Sequence, residues 1–242
     1  MLTPTHIAYI VLLALVRCAL LLPIFEISRK HWVKENLIYI GLFFSFVVLD
    51  QLVLYVLLDV RLFTGQRWNW PGKIAECILA LLFISTTLLT KKEAGLTFKV
   101  RHFNQVAGFI AALLLVTFAI QYFTAGFKNV KGTETFLFQL LMPGIAEELV
   151  FRGILLGLLN KVYNKSIIIG QTPVGWGVII TSVLFGLVHS FNFGSNTFDF
   201  NILYFLSTFT MGVFLALIKE KSQSLLPGIV SHNLFNLIVT YV

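Results

Sequence analysis

Charged residues are what this sequence has least of. Asp, Glu, Lys and Arg make up 12% of its 242 residues, half the roughly 25% of a soluble domain, which excludes an ordinary water-facing surface over most of the chain. Cysteine is scarce as well. Cys18 and Cys77 share no CxxC spacing and both fall in or beside apolar runs, so a disulfide framework and a thiolate metal centre are excluded and both read as small core residues. No GxSxG and no HExxH occurs, which removes the local signatures of an activated serine and of a helical zinc site. There is no internal repeat and no low-complexity tract. Met1–His6 carries no basic region and no small-residue cleavage site follows residues 7–14, so the first apolar run is expected to remain as a span.

What the sequence has in abundance is apolar surface. Hydrophobic residues are 57% of the chain, 24 of them Phe, and the mean hydropathy is +0.87. The fold class expected is an all-α polytopic transmembrane helix bundle of eight spans with an intramembrane polar cavity, one integral-membrane domain over 1–242. The spans are read at 7–25, 37–58, 74–90, 106–122, 136–159, 174–188, 200–218 and 226–242. A sheet is excluded within them, because open edges cannot exist in hydrocarbon and no barrel-like alternation is present. The net charge of +7 then points to loops and anionic headgroups, not nucleic acid. Loops one, three, five and seven hold 11 Lys and Arg: Arg29, Lys30, Lys34, Lys91, Lys92, Lys99, Arg101, Lys161, Lys165, Lys219 and Lys221. Loops two, four and six hold 5: Arg61, Arg67, Lys73, Lys128 and Lys131. The positive-inside rule places the odd loops in the cytoplasm and both termini outside.

The stretch Met142-Pro143-Gly144-Ile145-Ala146-Glu147-Glu148-Leu149-Val150-Phe151-Arg152-Gly153 sets charge inside the fifth apolar run. Each such charge is costly in lipid and needs a partner or a task. Glu148 and Arg152 stand four apart with the acid N-terminal, the favourable order for a helical ion pair. Glu147 lies about 100° round the helix from Glu148, so the same arginine does not readily serve both. Elsewhere, Arg17 reads as snorkelling or paired within the bundle, and Glu76 as paired with Lys73 one turn earlier. Asp50 with Gln51 reads as an inter-helix hydrogen-bonding pair, with contact to a functional cavity as the sharper alternative. His6, His31 and His102 sit in loops or at span ends and read as solvated.

Two further sites join the glutamates: Phe185-x-x-x-His189 at the end of the sixth run, and His232-x-x-x-Asn236 in the last, each at i, i+4. One intramembrane histidine alone reads as a helix–helix hydrogen bond. Three spans each carrying an expensive polar group point instead to one shared site. A carboxylate and a neutral imidazole converging on a water can take its proton and direct its lone pair at a carbonyl, while a second imidazole and an amide donate to the oxyanion that forms. Glu147 or Glu148, His189, His232 and Asn236 supply those roles without a covalent nucleophile. The reaction class is amide hydrolysis. Ser231, beside His232, points away from it on a helix.

Glu147-Glu148-x-x-x-Arg152, Phe185-x-x-x-His189 and His232-x-x-x-Asn236, in that order, resemble the three motifs of the CAAX protease and bacteriocin-processing family, which includes the type II CAAX prenyl endopeptidases. The resemblance covers about 95 residues of the C-terminal half, with Glu-Glu-Leu-Val-Phe-Arg-Gly its most specific part, and puts the catalytic core at about 136–242. It implies an intramembrane endopeptidase in which Glu147 and His189 activate water, His232 and Asn236 form the oxyanion hole, and Glu148, Arg152 and Phe185 support them. No cofactor is expected; a catalytic zinc on one glutamate and two histidines is the alternative. Partners expected are the bilayer and a peptide or lipidated-protein substrate in a prokaryotic cell membrane, with bacteriocin processing or self-immunity as one setting. A non-catalytic scaffold or immunity factor binding a peptide in the same cavity is the second hypothesis, a proton-coupled transporter the third. If the two histidine helices run parallel, His189 and His232 differ in depth by roughly 10–15 Å, a gap that tilted helices or a re-entrant stretch over 191–196 would close.

Overall fold

A computed structural model describes residues 4–86, 88–130, 132–165, 167–169, 171–194 and 197–242. Met1–Thr3, Lys131, Ser195 and Asn196, on which parts of the sequence reading fall, lie outside them. The chain folds as helices α1 (Pro4–Ser28), α2 (Ile38–Val56), α3 (Trp70–Ser85), α4 (Phe103–Thr124), α5 (Thr133–Glu147), α6 (Leu156–Val162), α7 (Trp176–Ser190), α8 (Ile202–Ser222) and α9 (Leu226–Tyr241). α5 and α6 are joined without a break by a π-helical stretch, Glu148–Leu155. Two small antiparallel hairpins occupy connections: β1 (Ile167–Ile169) with β2 (Thr172–Val174), and β3 (Phe191–Gly194) with β4 (Thr197–Phe200). They leave the all-helical class intact.

Local chemistry starts and stops the rods. Asn69 caps α3 by accepting from Gly72 N at 3.0 Å, with Pro71 in the first turn, where its missing N–H has no cost. Asn201 caps α8 by accepting from Tyr204 N at 2.9 Å, and α8 ends on Gln223 in the left-handed region (φ 55°). The core gathers around the π-helical stretch: Leu149, Phe151, Ile154 and Leu155 pack with Phe25, Phe43, Phe46 and Leu184, all buried.

Apolar side chains also face outwards. Phe123 is 84% exposed and Leu203 76%, a cost in water that vanishes in lipid. Among the described residues four helical stretches are long and apolar enough to cross a membrane: Thr5–His31, Lys34–Val56, Phe103–Thr124 and Ile202–Ser222. The chain is an integral membrane protein.

The connections sort to two ends. Asn36 Nδ2 donates to Lys161 O at 2.8 Å, Lys161 Nζ meets Glu93 Oε1 at 2.7 Å, Leu225 N donates to Gly95 O at 3.0 Å, and Lys165 pairs with Glu220. These bonds tie loops one, three, five and seven together. At the opposite end Trp68 N donates to Glu134 Oε1 at 3.1 Å, and Lys128 N donates to Tyr241 O at 2.9 Å. That joins loops two and four and the C-terminus.

Candidate active site

Glu147 is the last residue of α5 before the π-helical stretch and is buried. Its two oxygens have different surroundings. Oε1 accepts from Lys73 Nζ on α3 at 3.1 Å. Oε2 lies 3.6 Å from His189 Nε2 and 3.7 Å from His232 Nε2, too far for a hydrogen bond, and no described residue satisfies it. A buried carboxylate oxygen without a donor is the exception in proteins and asks for an explanation.

The imidazoles are held from behind. His189 Nδ1 lies 2.7 Å from Phe185 O; a carbonyl only accepts, so Nδ1 carries the hydrogen and a neutral ring presents its Nε2 lone pair towards Glu147. The i, i+4 spacing on α7 thus works through the Phe185 carbonyl as well as its ring, which packs 4.4 Å from the His189 ring and 5.9 Å from that of His232. His232 Nδ1 lies 2.9 Å from Glu148 Oε1, which also accepts from Arg152 Nη1 at 3.0 Å. Arg152 in turn donates to Gly212 O at 3.2 Å and stands 4.5 Å over the Phe185 ring. Glu148, Arg152 and Phe185 are all buried. This rigid backing fixes which nitrogen of each histidine faces forward.

α5 and α9 approach closely where Gly144 N donates to Asn233 Oδ1 at 2.7 Å. The preceding Pro143 offers no N–H to the helix ladder. Gly228 on α9 faces Glu148, where an added Cβ would stand 3.0 Å from Oε2. Small residues at both points let α9 bring His232 to the acidic pair. Ser231 donates to Gly228 O at 3.0 Å, away from the site.

A cavity of about 700 Å³ opens in front of these groups. Glu147, His189, His232 and Asn236 all line it, Asn236 half-buried one turn beyond His232. The two Nε2 atoms near one oxygen place His189 and His232 at one depth, so the gap that parallel, unshifted helices would leave is closed. After His189, Phe191–Gly194 and Thr197–Phe200 pair as the β3–β4 hairpin, with Asn201 N donating to Ser190 O at 3.1 Å; Ser195 and Asn196 of the stretch 191–196 lie outside the described residues.

Asp50 stays out of the cavity and takes the plainer reading. Its Oδ2 accepts from Gln51 Nε2 at 3.3 Å, while Gln51 Oε1 accepts from Arg17 Nη1 at 2.6 Å. Arg17 does not snorkel. It is fully buried and donates to Val188 O at 3.2 Å and Phe191 O at 2.7 Å, holding the end of α7 next to His189. Lys73 is the residue that sequence reasoning missed. It meets Glu76 Oε2 at 2.8 Å as the spacing suggests, but also reaches Glu147 and lines the cavity. A lysine and glutamate three apart at the head of an apolar helix were its only trace. Among the described residues no group of three His, Cys, Asp or Glu is arranged to hold a metal ion.

Residues 129–238 match a family model described as Rce1-like, the type II CAAX prenyl endopeptidase Rce1-like family. No curated protein and no solved structure matches the chain.

Proposed function

We propose, on the premise that residues 129–238 are a domain of the type II CAAX prenyl endopeptidase Rce1-like family and thus of an integral-membrane peptidase, that the chain hydrolyses a peptide bond with water activated by Glu147 and His189. The observation that carries this reading is the unsatisfied Glu147 Oε2 facing two imidazole nitrogens at 3.6 and 3.7 Å. Glu147 Oε2 and the Nε2 of a neutral His189 are two acceptors that suit one water molecule, whose two O–H groups supply the missing donors.

In this reading Glu147 takes one proton as the water oxygen bonds to the carbonyl carbon, and His189 directs the remaining hydrogen. Negative charge gathers on the former carbonyl oxygen. Asn236 Nδ2 donates to it from the cavity wall, and His232 Nε2 donates when protonated, its Nδ1–H paired with the Glu148 carboxylate. The carbon–nitrogen bond then breaks, and the proton held by Glu147 passes to the leaving amine. Lys73 keeps Glu147 Oε1 occupied and so leaves Oε2 to work. The domain is single, and its catalytic core runs from about 136 to 242.

No cofactor is needed for these steps. Zinc is the rival mechanism; here the charge of Glu147 is already met by the Lys73 ammonium at 3.1 Å, and Asn236 has an oxyanion task without a metal. The test is cleavage of quenched-fluorescent peptides by the purified chain in liposomes. Glu147→Gln and His189→Ala are expected to lower kcat by about 10²–10⁴-fold, and a strong chelator is expected to leave the wild type unaffected. Chelator-sensitive turnover restored by zinc would replace the water-activation scheme. Folded Glu147→Gln protein that keeps its cellular effect would make the chain a peptide-binding scaffold instead.

A further inference from the structure

Away from the catalytic groups, the first turn of α4 meets the last turns of α8. Both helices lie in stretches long and apolar enough to cross a membrane, Phe103–Thr124 and Ile202–Ser222. Their adjoining ends therefore sit where hydrocarbon gives way to headgroups. A pocket of about 280 Å³ opens there, with Arg101, His102, Gln171, Thr172, Lys221 and Gln223 in its wall. Arg101 N donates to Ser222 O at 2.9 Å, which pins the basic turn against the end of α8. Among the described residues the non-glycines in the left-handed region are His102, Gln171 and Gln223 (φ 51°, 67° and 55°), and all three line this one pocket. Side-chain-bearing residues adopt that backbone sparingly, and it gathers where ligands are held.

The pocket's free charge is positive. Arg101 is exposed, and among the described residues its guanidinium has no partner. Lys221 stands in the same wall. The carboxylate on the rim, Glu220, is already engaged, accepting from Asn160 Nδ2 at 2.6 Å and pairing with Lys165. An apolar space continues from this polar one. A second cavity of about 220 Å³ shares Thr172 and Lys221 with the first and runs between α4 and α8, lined by Val106, Phe109, Ile169, Leu217 and Ile218. The rings of Phe109 and Phe214, 5.6 Å apart, bridge the two helices at its inner end. Val106 alone of the α4 residues is buried, so this helix leaves room for a lipid at its side.

We propose that the two adjoining spaces form a binding site for an anionic phospholipid, its phosphate held by Arg101, His102 and Lys221 and an acyl chain lying in the groove between α4 and α8. Arginine offers paired N–H groups that match two phosphate oxygens, lysine adds a point charge, and the imidazole supplies an N–H donor. A free phosphate would use the polar half and leave the apolar groove empty. A zwitterionic lipid would fill the groove but set its own cation against Arg101 and Lys221. Of the three, the anionic lipid alone matches both halves. The site stands apart from the peptidase reading, since it shares no lining residue with the cavity in front of Glu147.

The test uses the full chain purified in neutral detergent and titrated with dioleoylphosphatidylglycerol, dioleoylphosphatidylcholine or glycerol 3-phosphate, with bound molecules counted by native mass spectrometry. The wild type is expected to hold one phosphatidylglycerol more tightly than phosphatidylcholine. Each cation beside an anionic headgroup is worth about a fivefold gain, so Arg101→Gln with Lys221→Gln should weaken phosphatidylglycerol about 30-fold, and Arg101→Gln alone about fivefold. Leu217→Trp fills the groove and is expected to weaken both lipids. Arg61→Gln with Arg67→Gln removes two exposed cations elsewhere and is expected to change neither. Equal affinity for the two lipids, or equal losses from the two double variants, would overturn the site. Glycerol 3-phosphate bound as tightly as phosphatidylglycerol, and untouched by Leu217→Trp, would make it a site for free phosphate and refute the lipid. Thermal unfolding without lipid checks each variant, and the single change at exposed Arg101 keeps the test decisive if the double variant does not fold.

Discussion

Replacing Gly144 by alanine is expected to pull the site apart from behind. The added Cβ would stand 2.5 Å from Asn233 Oδ1 and 2.6 Å from Ile229 O, where ordinary contact begins at 3.4 Å. Neither atom can swing clear. Ile229 O is backbone, and Asn233 is pinned by Gly144 N at 2.7 Å and by its own bond to Leu141 O at 3.3 Å. α9 must therefore retreat from α5 by about 0.9 Å, the difference between the imposed and the ordinary contact. Overpacking of this kind costs about 1–3 kcal/mol, and a stretched buried hydrogen bond adds about 1 kcal/mol. The shift also carries His232, which lies between Ile229 and Asn233, away from Glu147. A misplacement near 1 Å lowers turnover by about 10²-fold. Thermal unfolding in detergent and peptide cleavage in liposomes read the two effects separately. Gly41→Ala and Gly108→Ala are the controls, since nothing lies within 4 Å of a Cβ at either position, and each is expected to stabilise its helix by up to about 1 kcal/mol. A Gly144→Ala protein that melts and turns over like the wild type would refute the account of how α9 is seated.

Arg152→Met removes the guanidinium that stands 3.0 Å from Glu148 Oε1, a carboxylate that is 0% exposed. An uncompensated buried charge of this kind costs about 3–5 kcal/mol, so the melting temperature and the yield of folded protein should both fall, and Glu148→Gln in the same chain should recover part of the loss. Lys73→Met is expected to lower kcat by about 10²-fold while leaving KM nearly unchanged, because Glu147 loses the partner that orients it. Lys73→Arg should restore part of that rate, whereas equal damage from both variants would make Lys73 a packing residue only.

The fold announced itself in composition more clearly than in detail. The apolar runs were visible because they lack charge, and among the described residues four of the helical stretches that follow them are long and apolar enough to cross a membrane. Glu148 with Arg152 was legible because both partners sit on one helix at a fixed spacing. The convergence of His189 and His232 on Glu147 was not, since it depends on how α7 and α9 are seated against α5, and that arises from side chains meeting across helices. The π-helical stretch Glu148–Leu155 left no mark in the apolar periodicity. Lys73 was hidden for a similar reason. Its second partner, Glu147, lies 74 residues away, and from the sequence it counted as one more loop cation.

Arg17 bears on how the chain enters the membrane during synthesis. Its partners Val188 and Phe191 lie 171 and 174 residues further along, whereas Gln51 is only 34 away. A guanidinium left alone in lipid is costly, so α1 has every reason to wait for α2 and leave the translocation channel as a hairpin, with Gln51 shielding the charge. The helix that carries His189 then meets a donor already in place, and α1 becomes the template on which the end of α7 is set.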